Sequence, residues 1–340
     1  MTAQPSSDPR VFDPFGERSP GRLSRQFQLL GGRFEFRSDS EELLALVDIA
    51  YAGLPVHRMP SGQPDFLVEL RLSDGPSHAG IDAPPEARMQ GGAGFLCVLM
   101  DAANLALAFP ESRRGMVAVS REMLLRFPYH VRYELIEFLV FTLASRCQGL
   151  APLHAGCVGA QGRGALLVGE SGAGKSTLSL HCMLQGLDFL TEDASFVAPQ
   201  DLSVTGVANF LHLRFDALEF FDEDLRALAR QSPVIRRRSG VAKCELDLRQ
   251  GWPRLASDPL RLEHIVMVSK EPAAGGPLLA PLAPDELLAR LTRSQPYAAH
   301  QPSWPRFVEQ VSRLHGHQLR RASHPREAAE ALRGLLMMMA

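Results

Sequence analysis

The first 148 residues place apolar and polar side chains in short alternating runs, a pattern that predicts several strands. Residues 33–37 alternate as a strand does, and Ser38 with Glu41 forms a capping-box pattern before an amphipathic helix over residues 41–51. A stretch rich in glycine and proline over residues 73–94 predicts a loop. Further strands are predicted over residues 66–72, 95–100, 105–109 and 116–119. The spacing of these strands predicts an antiparallel module.

The pattern breaks near residue 148, which predicts a domain boundary there. Apolar residues at helical spacing predict a helix over residues 129–148, and the glycine and proline of residues 149–152 end it. Residues 1–26 are polar and contain several prolines, which predicts a disordered lead-in. We therefore predict a smaller N-terminal α+β module over residues 27–148 and a second domain over residues 149–340.

The second half alternates strand-like and helix-like segments. Two apolar runs over residues 153–158 and 165–168, joined by a glycine-rich turn, predict adjacent strands. Helical spacing predicts helices over residues 175–186, 216–230, 284–293, 304–313 and 325–338. Strand-like runs follow at residues 189–197, 207–214, 243–248 and 262–268. This alternation predicts a mixed α/β fold.

Composition narrows the class of protein. With 340 residues, 45% of them hydrophobic and 22% charged, the chain has enough apolar residues for a buried core. A net charge of -2 is evidence against nucleic acid or an anionic membrane as a partner. The start of the chain has no apolar run of the secretory kind, so we expect a cytoplasmic protein. The five cysteines lack paired spacing and predict reduced, mostly buried thiols.

The strongest chemical signal is the segment GESGAGKS at residues 169–176. It fits the phosphate-binding loop pattern, and it lies between a predicted strand and a predicted helix, as the mechanism requires. Glycines let backbone N–H groups surround a phosphate, Lys175 neutralises the β- and γ-phosphates, and the Ser176 hydroxyl coordinates Mg²⁺. We therefore predict ATP and Mg²⁺ as ligands, although the pattern also occurs by chance. The predicted nucleotide contacts are Gly169, Glu170, Ser171, Gly172, Ala173, Gly174, Lys175, Ser176 and Thr177.

Two further features add candidate catalytic residues. Glu192 and Asp193 follow an apolar run shortly after the loop, where one could hold Mg²⁺ and the other could accept a proton. Of the two, Asp193 is the predicted metal ligand, and a solvated acidic turn is the alternative. His154 lies in the strand before the loop and could approach the γ-phosphate, or it could be a hydrogen-bonded core residue.

The segment from Leu153 to Val197 resembles the core of HPr kinase/phosphorylase and, more closely, of HPr-kinase-related kinases. The shared order is a strand with histidine, a glycine turn, a second strand, the phosphate loop, a helix ended by Gly186, and a strand ended by paired acids. The resemblance implies a nucleotide-binding fold like that of phosphoenolpyruvate carboxykinase. It also implies phosphate and Mg²⁺ contacts for Lys175 and Ser176.

The same resemblance implies that His154 lies at the reacting phosphate and that the first acid, Glu192, is the base. This acid is aspartate in the carrier-protein kinase of the family. The C-terminal signature that the bifunctional enzyme uses for dephosphorylation, an Arg-Gly segment after a strand, is not found, and the nearest basic candidates are Arg238 and Lys243. A phosphorylase activity is therefore not expected.

The expected function is an ATP- and Mg²⁺-dependent kinase acting on a hydroxyl of a protein, a peptide or a small molecule. Its predicted catalytic residues are His154, Lys175, Glu192 and Asp193. A nucleotide-binding regulatory or assembly protein and a simple nucleoside triphosphatase remain alternatives. The run of three arginines at residues 236–238 is interpreted as a solvated loop, and a homo-oligomer is possible.

Overall fold

A computed structural model describes residues 22–73, 83–249, 251 and 254–337. The predicted mixed α/β class is confirmed, because helices alternate with strands that form three sheets in this part of the chain. The chain divides into two compact units. Unit 1 comprises Met1–Phe27, Gly32–Ala52 and Pro64–Cys147, and unit 2 comprises Gln28–Gly31, Gly53–Gln63 and Gln148–Ala340. Unit 2 thus includes two segments that the sequence assigned to the N-terminal module.

A seven-stranded sheet in the order β1-β2-β3-β7-β6-β5-β4 forms the centre of the first part of the chain. The strands are β1 (Leu23–Leu29), β2 (Gly32–Ser38), β3 (Asp65–Ser73), β4 (Arg88–Gly92), β5 (Phe95–Leu99), β6 (Leu105–Phe109) and β7 (Arg114–Ser120). The helices are α1 (Glu41–Tyr51), α2 (Arg121–Arg126), α3 (Pro128–His130), a π-helical turn (Val131–Ile136) and α4 (Glu137–Gln148).

Helix α1 packs on this sheet through aromatic and aliphatic side chains. Phe36 on β2 is fully buried, and its ring stacks on Tyr51 with 5.9 Å between the ring centres. The N-cap is Ser40, whose hydroxyl accepts a hydrogen bond from the backbone N–H of Leu43. The predicted cap, Ser38, instead donates to the carbonyl of Leu70 at 2.8 Å. The cap prediction was therefore wrong by two residues.

Three further sequence predictions for this part needed correction. The module is mixed and not antiparallel, because α1 carries the chain over the sheet and makes β2 and β3 parallel. Strand β4 lies inside the predicted loop, since its backbone pairs with β5 while its side chains are exposed. Residues 74–82 of that loop and residues 1–21 of the predicted lead-in lie outside the described residues. The remainder of the lead-in begins β1.

Unit 2 contains the other two sheets. Its strands are β8 (Ala151–His154), β9 (Gly156–Ala160), β10 (Arg163–Val168), β11 (Asp188–Thr191), β12 (Ala194–Val197), β13 (Ser203–Gly206), β14 (Phe210–Arg214), β15 (Val234–Arg236), β16 (Ala242–Asp247), β17 (Leu260–Pro272), β18 (Leu279–Pro281) and β19 (His315–Arg321). Its helices are α5 (Lys175–Leu184), a 3₁₀ helix (Phe215–Phe220), α6 (Glu223–Gln231), α7 (Pro284–Ser294), α8 (Pro296–Ala299), α9 (Trp304–Val311) and α10 (Pro325–Met337).

Strand β10 lies inside the large sheet of unit 2 and is apolar along its length because both of its faces are covered. It pairs antiparallel with β9 and parallel with β17. Leu166 and Val168 belong to one core cluster, and Ala165 and Leu167 belong to another. A strand buried on both faces has no polar alternation, which is the pattern of the sequence.

Helix α10 covers one face of this sheet beside α5. Ala328, Leu332 and Leu336 are buried in the core cluster on that face, and Leu335 packs against it. These residues therefore form the core-facing side of α10. Among the described residues, no helix combines the length and apolarity needed to cross a bilayer.

Three predicted elements of unit 2 are divided in the structure. The strand predicted over residues 153–158 is broken at Ala155, so that His154 ends β8 and Gly156 begins β9. The strand predicted over residues 189–197 is broken between β11 and β12, and Glu192 and Asp193 lie at the break. The helix predicted over residues 216–230 is a 3₁₀ helix followed by α6. The break occurs because Asp222 caps α6 by accepting a hydrogen bond from the N–H of Leu225.

Candidate active site

A glycine-rich loop over residues 169–174 joins β10 to α5. Gly169 lies against β17, and a Cβ atom there would be 2.6 Å from the carbonyl oxygen of Val268. Gly172 and Gly174 have φ angles of 77° and 89°, which favour glycine. The loop conformation therefore needs glycine at these three positions, for close approach at the first and for backbone geometry at the others.

The start of α5 leaves backbone donors available to a ligand. Its N-cap, Gly174, has no side chain to satisfy the N–H groups of the first turn, and these groups carry the positive end of the helix dipole. The Lys175 ammonium donates to the carbonyl of Gly169 at 2.7 Å. Burial lowers the pKa of Lys175, and the carboxylates of Asp193 and Glu192 oppose that effect. The loop therefore presents backbone donors and a cation together.

Glu192 is buried and is hydrogen-bonded on both carboxylate oxygens. Its Oε1 accepts a hydrogen bond from the hydroxyl of Ser176, the residue after Lys175. Its Oε2 accepts from the backbone N–H of His212 at 2.9 Å and lies 3.1 Å from Nδ1 of the same residue. The other ring nitrogen of His212 lies 3.0 Å from Oε1 of the buried Glu245. A chain of three buried groups thus begins at the hydroxyl of Ser176.

The pKa values of this chain favour a charged His212 between two carboxylates. Burial alone would lower the pKa of His212, but Glu192 and Glu245 outweigh it and raise that pKa. Burial alone would raise the pKa of Glu192, but the charge and hydrogen bond of His212, with the hydroxyl of Ser176, bring it below its ordinary value. Glu192 is therefore an ionised, oriented carboxylate beside Ser176.

Asp193 and His154 face each other near the break between strands β11 and β12. His154 on β8 is paired with Ala194 on β12, and this register brings its Nδ1 within 3.3 Å of Oδ1 of Asp193. Their side chains are 56% and 43% exposed, so both are accessible to a bound molecule. The buried amide of Gln295 holds the main chain of His154, accepting from its N–H at 2.7 Å and donating to its carbonyl at 3.0 Å.

Lys175, Glu192 and Asp193 line a cavity of about 630 Å³, together with His154, Ser176 and His212. The glycine-rich loop lines this cavity, and so do two strands of the small sheet, ordered β14-β16-β15, through His212 and Arg214 on β14 and Lys243 on β16. A second cavity of about 830 Å³ also adjoins the loop and is lined partly by apolar residues such as Val268, Leu278 and Phe220. Arg321 at the end of β19 lines both cavities.

Most of the residues predicted from the sequence come together at the first cavity. They are His154, Glu170, Ser171, Gly172, Gly174, Lys175, Ser176, Thr177, Glu192 and Asp193. Ala173 lines the second cavity, and Gly169 packs against β17. Two alternatives were wrong, because the His154 side chain is exposed and not in the core, and because Glu192 is buried and not part of a solvated turn.

Sequence reasoning missed His212, Glu245 and Gln295. Each is a single polar residue in an otherwise ordinary segment, so only spatial proximity relates it to the site. Across the described ranges, no group of three or more His, Cys, Asp or Glu side chains is arranged to hold a metal ion. This finding still fits Mg²⁺, which proteins commonly bind through one or two side chains together with substrate phosphates and water.

Comparisons with known proteins add little to this geometry. No known protein family matches the sequence, and no curated protein matches it. Among solved structures, the chain is similar to the HPr(Ser) kinase/phosphatase of Coxiella burnetii, with 13% identity, coverage of 55% of this chain and 97% of that chain, and a TM-score of 0.30. A likeness this weak shows neither the fold nor the activity of this chain.

Proposed function

We propose that unit 2 is an ATP- and Mg²⁺-dependent kinase that transfers the γ-phosphate to a hydroxyl group. The observation that carries the proposal is the position of two acidic residues at one cavity. Glu192 contacts the hydroxyl of Ser176 in the loop, and Asp193 faces the same cavity beside His154. A nucleotide-binding protein without group transfer would need the first of these arrangements and not the second.

The loop supplies the phosphate site of this proposal. The positive φ angles of Gly172 and Gly174, the N–H groups at the start of α5 that no side chain caps, and the Lys175 ammonium are features that suit a triphosphate. A Cβ placed at Gly172 or Gly174 would meet no atom within 4 Å, so the space beside the loop is open. The second cavity, with apolar and polar walls, has room for the nucleoside.

The sequence predicted Asp193 as the metal ligand, and the family resemblance implied Glu192 as the base. We propose the reverse assignment of these two roles. Glu192 is ionised, buried and in contact with Ser176, so Ser176 and Glu192 would hold Mg²⁺. The ion would neutralise charge on the phosphates. Asp193 is exposed to the cavity and contacts His154, so it is the proposed base. His154 orients the Asp193 carboxylate.

The proposed reaction is an in-line displacement. The acceptor oxygen forms a bond to the γ-phosphorus, the bond from that phosphorus to the β,γ-bridging oxygen breaks, and the acceptor proton passes to Asp193. Lys175 and the backbone N–H groups of the loop stabilise the charge that develops on the transferred group. The departing nucleoside diphosphate remains at the loop until release.

A matched pair of isosteric variants, Glu192→Gln and Asp193→Asn, tests these roles. Fluorescent ATP titrations with and without Mg²⁺ measure binding, and transfer from γ-labelled ATP in a lysate of the source cells measures the reaction. We expect Glu192→Gln to lose the Mg²⁺-dependent part of nucleotide affinity. We expect Asp193→Asn to keep that affinity and to lose labelling by about a hundredfold or more.

Other outcomes would assign another function. Nucleotide binding without any labelled product in the wild-type protein would indicate a nucleotide-dependent switch. Release of phosphate without a labelled acceptor would indicate a nucleoside triphosphatase that uses water. Lys175→Ala serves as the control that removes the loop cation, and labelling that survives this change would come from a contaminating enzyme.

A further inference from the structure

Five residues line both cavities of unit 2 and so mark the place where the two cavities meet. They are Gly172, Gly174, Thr177, Phe220 and Arg321. The first three belong to the glycine-rich loop and the first turn of α5. A nucleoside triphosphate with its phosphates at the loop and its nucleoside in the second cavity would cross this boundary. Phe220 and Arg321 are therefore the side chains outside the loop and α5 that it would pass.

Arg321 lies at the same edge of the large sheet as the glycine-rich loop. Strand β17 pairs parallel with β10 on one side and with β19 on the other. The loop follows the last residue of β10, and Arg321 is the last residue of β19. Because the carboxyl ends of parallel strands meet at one edge of a sheet, the order of these strands brings Arg321 to the edge that carries the loop.

The guanidinium of Arg321 is available to a ligand. The first cavity is lined by five Asp or Glu and five Lys or Arg side chains, so its net charge does not by itself favour an anion. The other two arginines there are engaged, because Arg214 pairs with Asp216 and Arg237 has interaction partners of its own. Arg321 is exposed, and no acid within the described ranges forms an ion pair with it. A guanidinium can donate two parallel hydrogen bonds to one phosphate.

Phe220 provides an aromatic ring at the same boundary. It ends the 3₁₀ helix and packs against a core cluster that includes Leu213 and Leu246. Its ring is nearly perpendicular to that of His324, with an angle of 86° and 5.4 Å between the ring centres. These contacts hold a half-buried ring beside the second cavity. Nucleic-acid bases stack on aromatic rings, so the ring suits a nucleoside.

We propose that Arg321 and Phe220 form a second attachment point for the nucleotide, with Arg321 on the phosphate chain and Phe220 against the nucleoside. This inference rests on the proposed kinase function and assigns nucleotide contacts outside the loop. Lys175 is a single cation facing several phosphate charges, and Arg321 supplies another. The attachment point therefore takes a ligand in which a phosphate chain is joined to an aromatic base.

ATP and inorganic tripolyphosphate separate the two contacts, because only ATP carries a nucleoside. Isothermal titration calorimetry measures the affinity of each ligand for the full chain in the presence of Mg²⁺. We expect Arg321→Gln to weaken the binding of both ligands by about tenfold or more. We expect Phe220→Leu to weaken the binding of ATP by about tenfold and to leave that of tripolyphosphate unchanged. Retained tripolyphosphate binding also shows that Phe220→Leu is folded.

Matched substitutions at exposed positions of unit 2 are the controls. Phe215 begins the same 3₁₀ helix, is 45% exposed and lies outside both cavities. Arg313 is exposed and follows α9. Phe215→Leu and Arg313→Gln should leave both affinities unchanged. Arg321→Lys should recover only part of the lost affinity, because an ammonium keeps the charge but not the paired hydrogen bonds.

The outcomes separate this proposal from the kinase proposal. Equal affinities in the Arg321→Gln variant and its control would overturn the attachment point even if the wild-type protein binds ATP and transfers phosphate. Equal weakening of ATP and tripolyphosphate in Phe220→Leu would overturn the contact between Phe220 and the nucleoside. The expected losses, found in a protein that labels no acceptor, would remove the kinase function and support the attachment point. A wild-type protein that binds neither ligand would overturn both proposals.

Discussion

Replacement of His212 by leucine should destabilise unit 2 more than replacement of either carboxylate that contacts it. His212 is fully enclosed between Glu192 and Glu245, with ring nitrogen to oxygen distances of 3.1 and 3.0 Å. With His212 charged, the three groups carry one net negative charge. Without it, two carboxylates remain buried with no cation between them.

The loss in the free energy of unfolding depends on which charged group each variant leaves buried without a partner. Removal of one member of a buried ion pair commonly costs about 3–5 kcal/mol, because the other charge stays buried. We expect His212→Leu to cost an amount in that range. Glu245→Gln leaves His212 paired with Glu192 and removes one charge-assisted hydrogen bond, for which about 1.5–3 kcal/mol is expected.

Urea unfolding followed by tryptophan fluorescence measures this difference in unit 2 alone. Both tryptophans of the chain come after residue 148 in the sequence, and Trp304 lies in α9 of unit 2. The measurement is made without nucleotide and with a chelator, so that no ligand contributes to stability. Glu223→Gln, on the exposed face of α6, is the control and should leave the urea midpoint unchanged.

One result would refute the reasoning. If His212→Leu unfolded at the same urea concentration as the wild-type protein, the two carboxylates would not be ionised and buried together. A cost for His212→Leu no larger than that for Glu245→Gln would equally contradict the charge assignment.

Three further predictions concern other parts of unit 2. Gly169→Ala places a Cβ 2.6 Å from the carbonyl oxygen of Val268, so it should lower the free energy of unfolding by about 1–3 kcal/mol in the urea assay. The same change should weaken the binding of labelled ATP, and an unchanged affinity would contradict the assignment of the loop. Leu332→Ala in the fully buried face of α10 should cost about 2–5 kcal/mol in the same assay, and the partly buried Leu335→Ala should cost less. Burial, followed by His317, His315 and Arg163, lowers the pKa of His264 from 6.5 to about 4. The unfolded chain therefore binds this proton at a higher pH than the folded chain does. Protonation of His264 should by itself contribute a loss of about 3 kcal/mol to the stability of unit 2 as the pH falls from about 6.5 to about 4, and His264→Phe should remove that contribution.

Local patterns predicted the elements whose signals lie within a few neighbouring residues. The run before Gly169 is apolar because β10 is buried on both faces, and the glycines of the loop mark backbone geometry that other residues rarely adopt. The helix over Glu41–Tyr51 and the apolar face of α10 follow from helical spacing alone. These features depend on sequence order, so the sequence was sufficient to predict them.

The sequence also identified both acids, but it did not distinguish their surroundings. Glu192 and Asp193 are adjacent, and the break in the strand leaves Glu192 buried and Asp193 exposed at the same cavity. Which acid contacts Ser176 depends on how β11, β12 and α5 pack together. No property of the dipeptide itself decides it.

The sequence by itself determined that this protein has an α/β unit with a glycine-rich loop between a buried strand and a helix, followed by a candidate acidic pair. Only the tertiary structure decided that His212 and Glu245 join Glu192 and that Gln295 holds His154. The physical reason is the distance along the chain over which each effect acts. Backbone geometry and periodicity act between near neighbours, whereas a buried charge requires a partner that any part of the folded chain can supply.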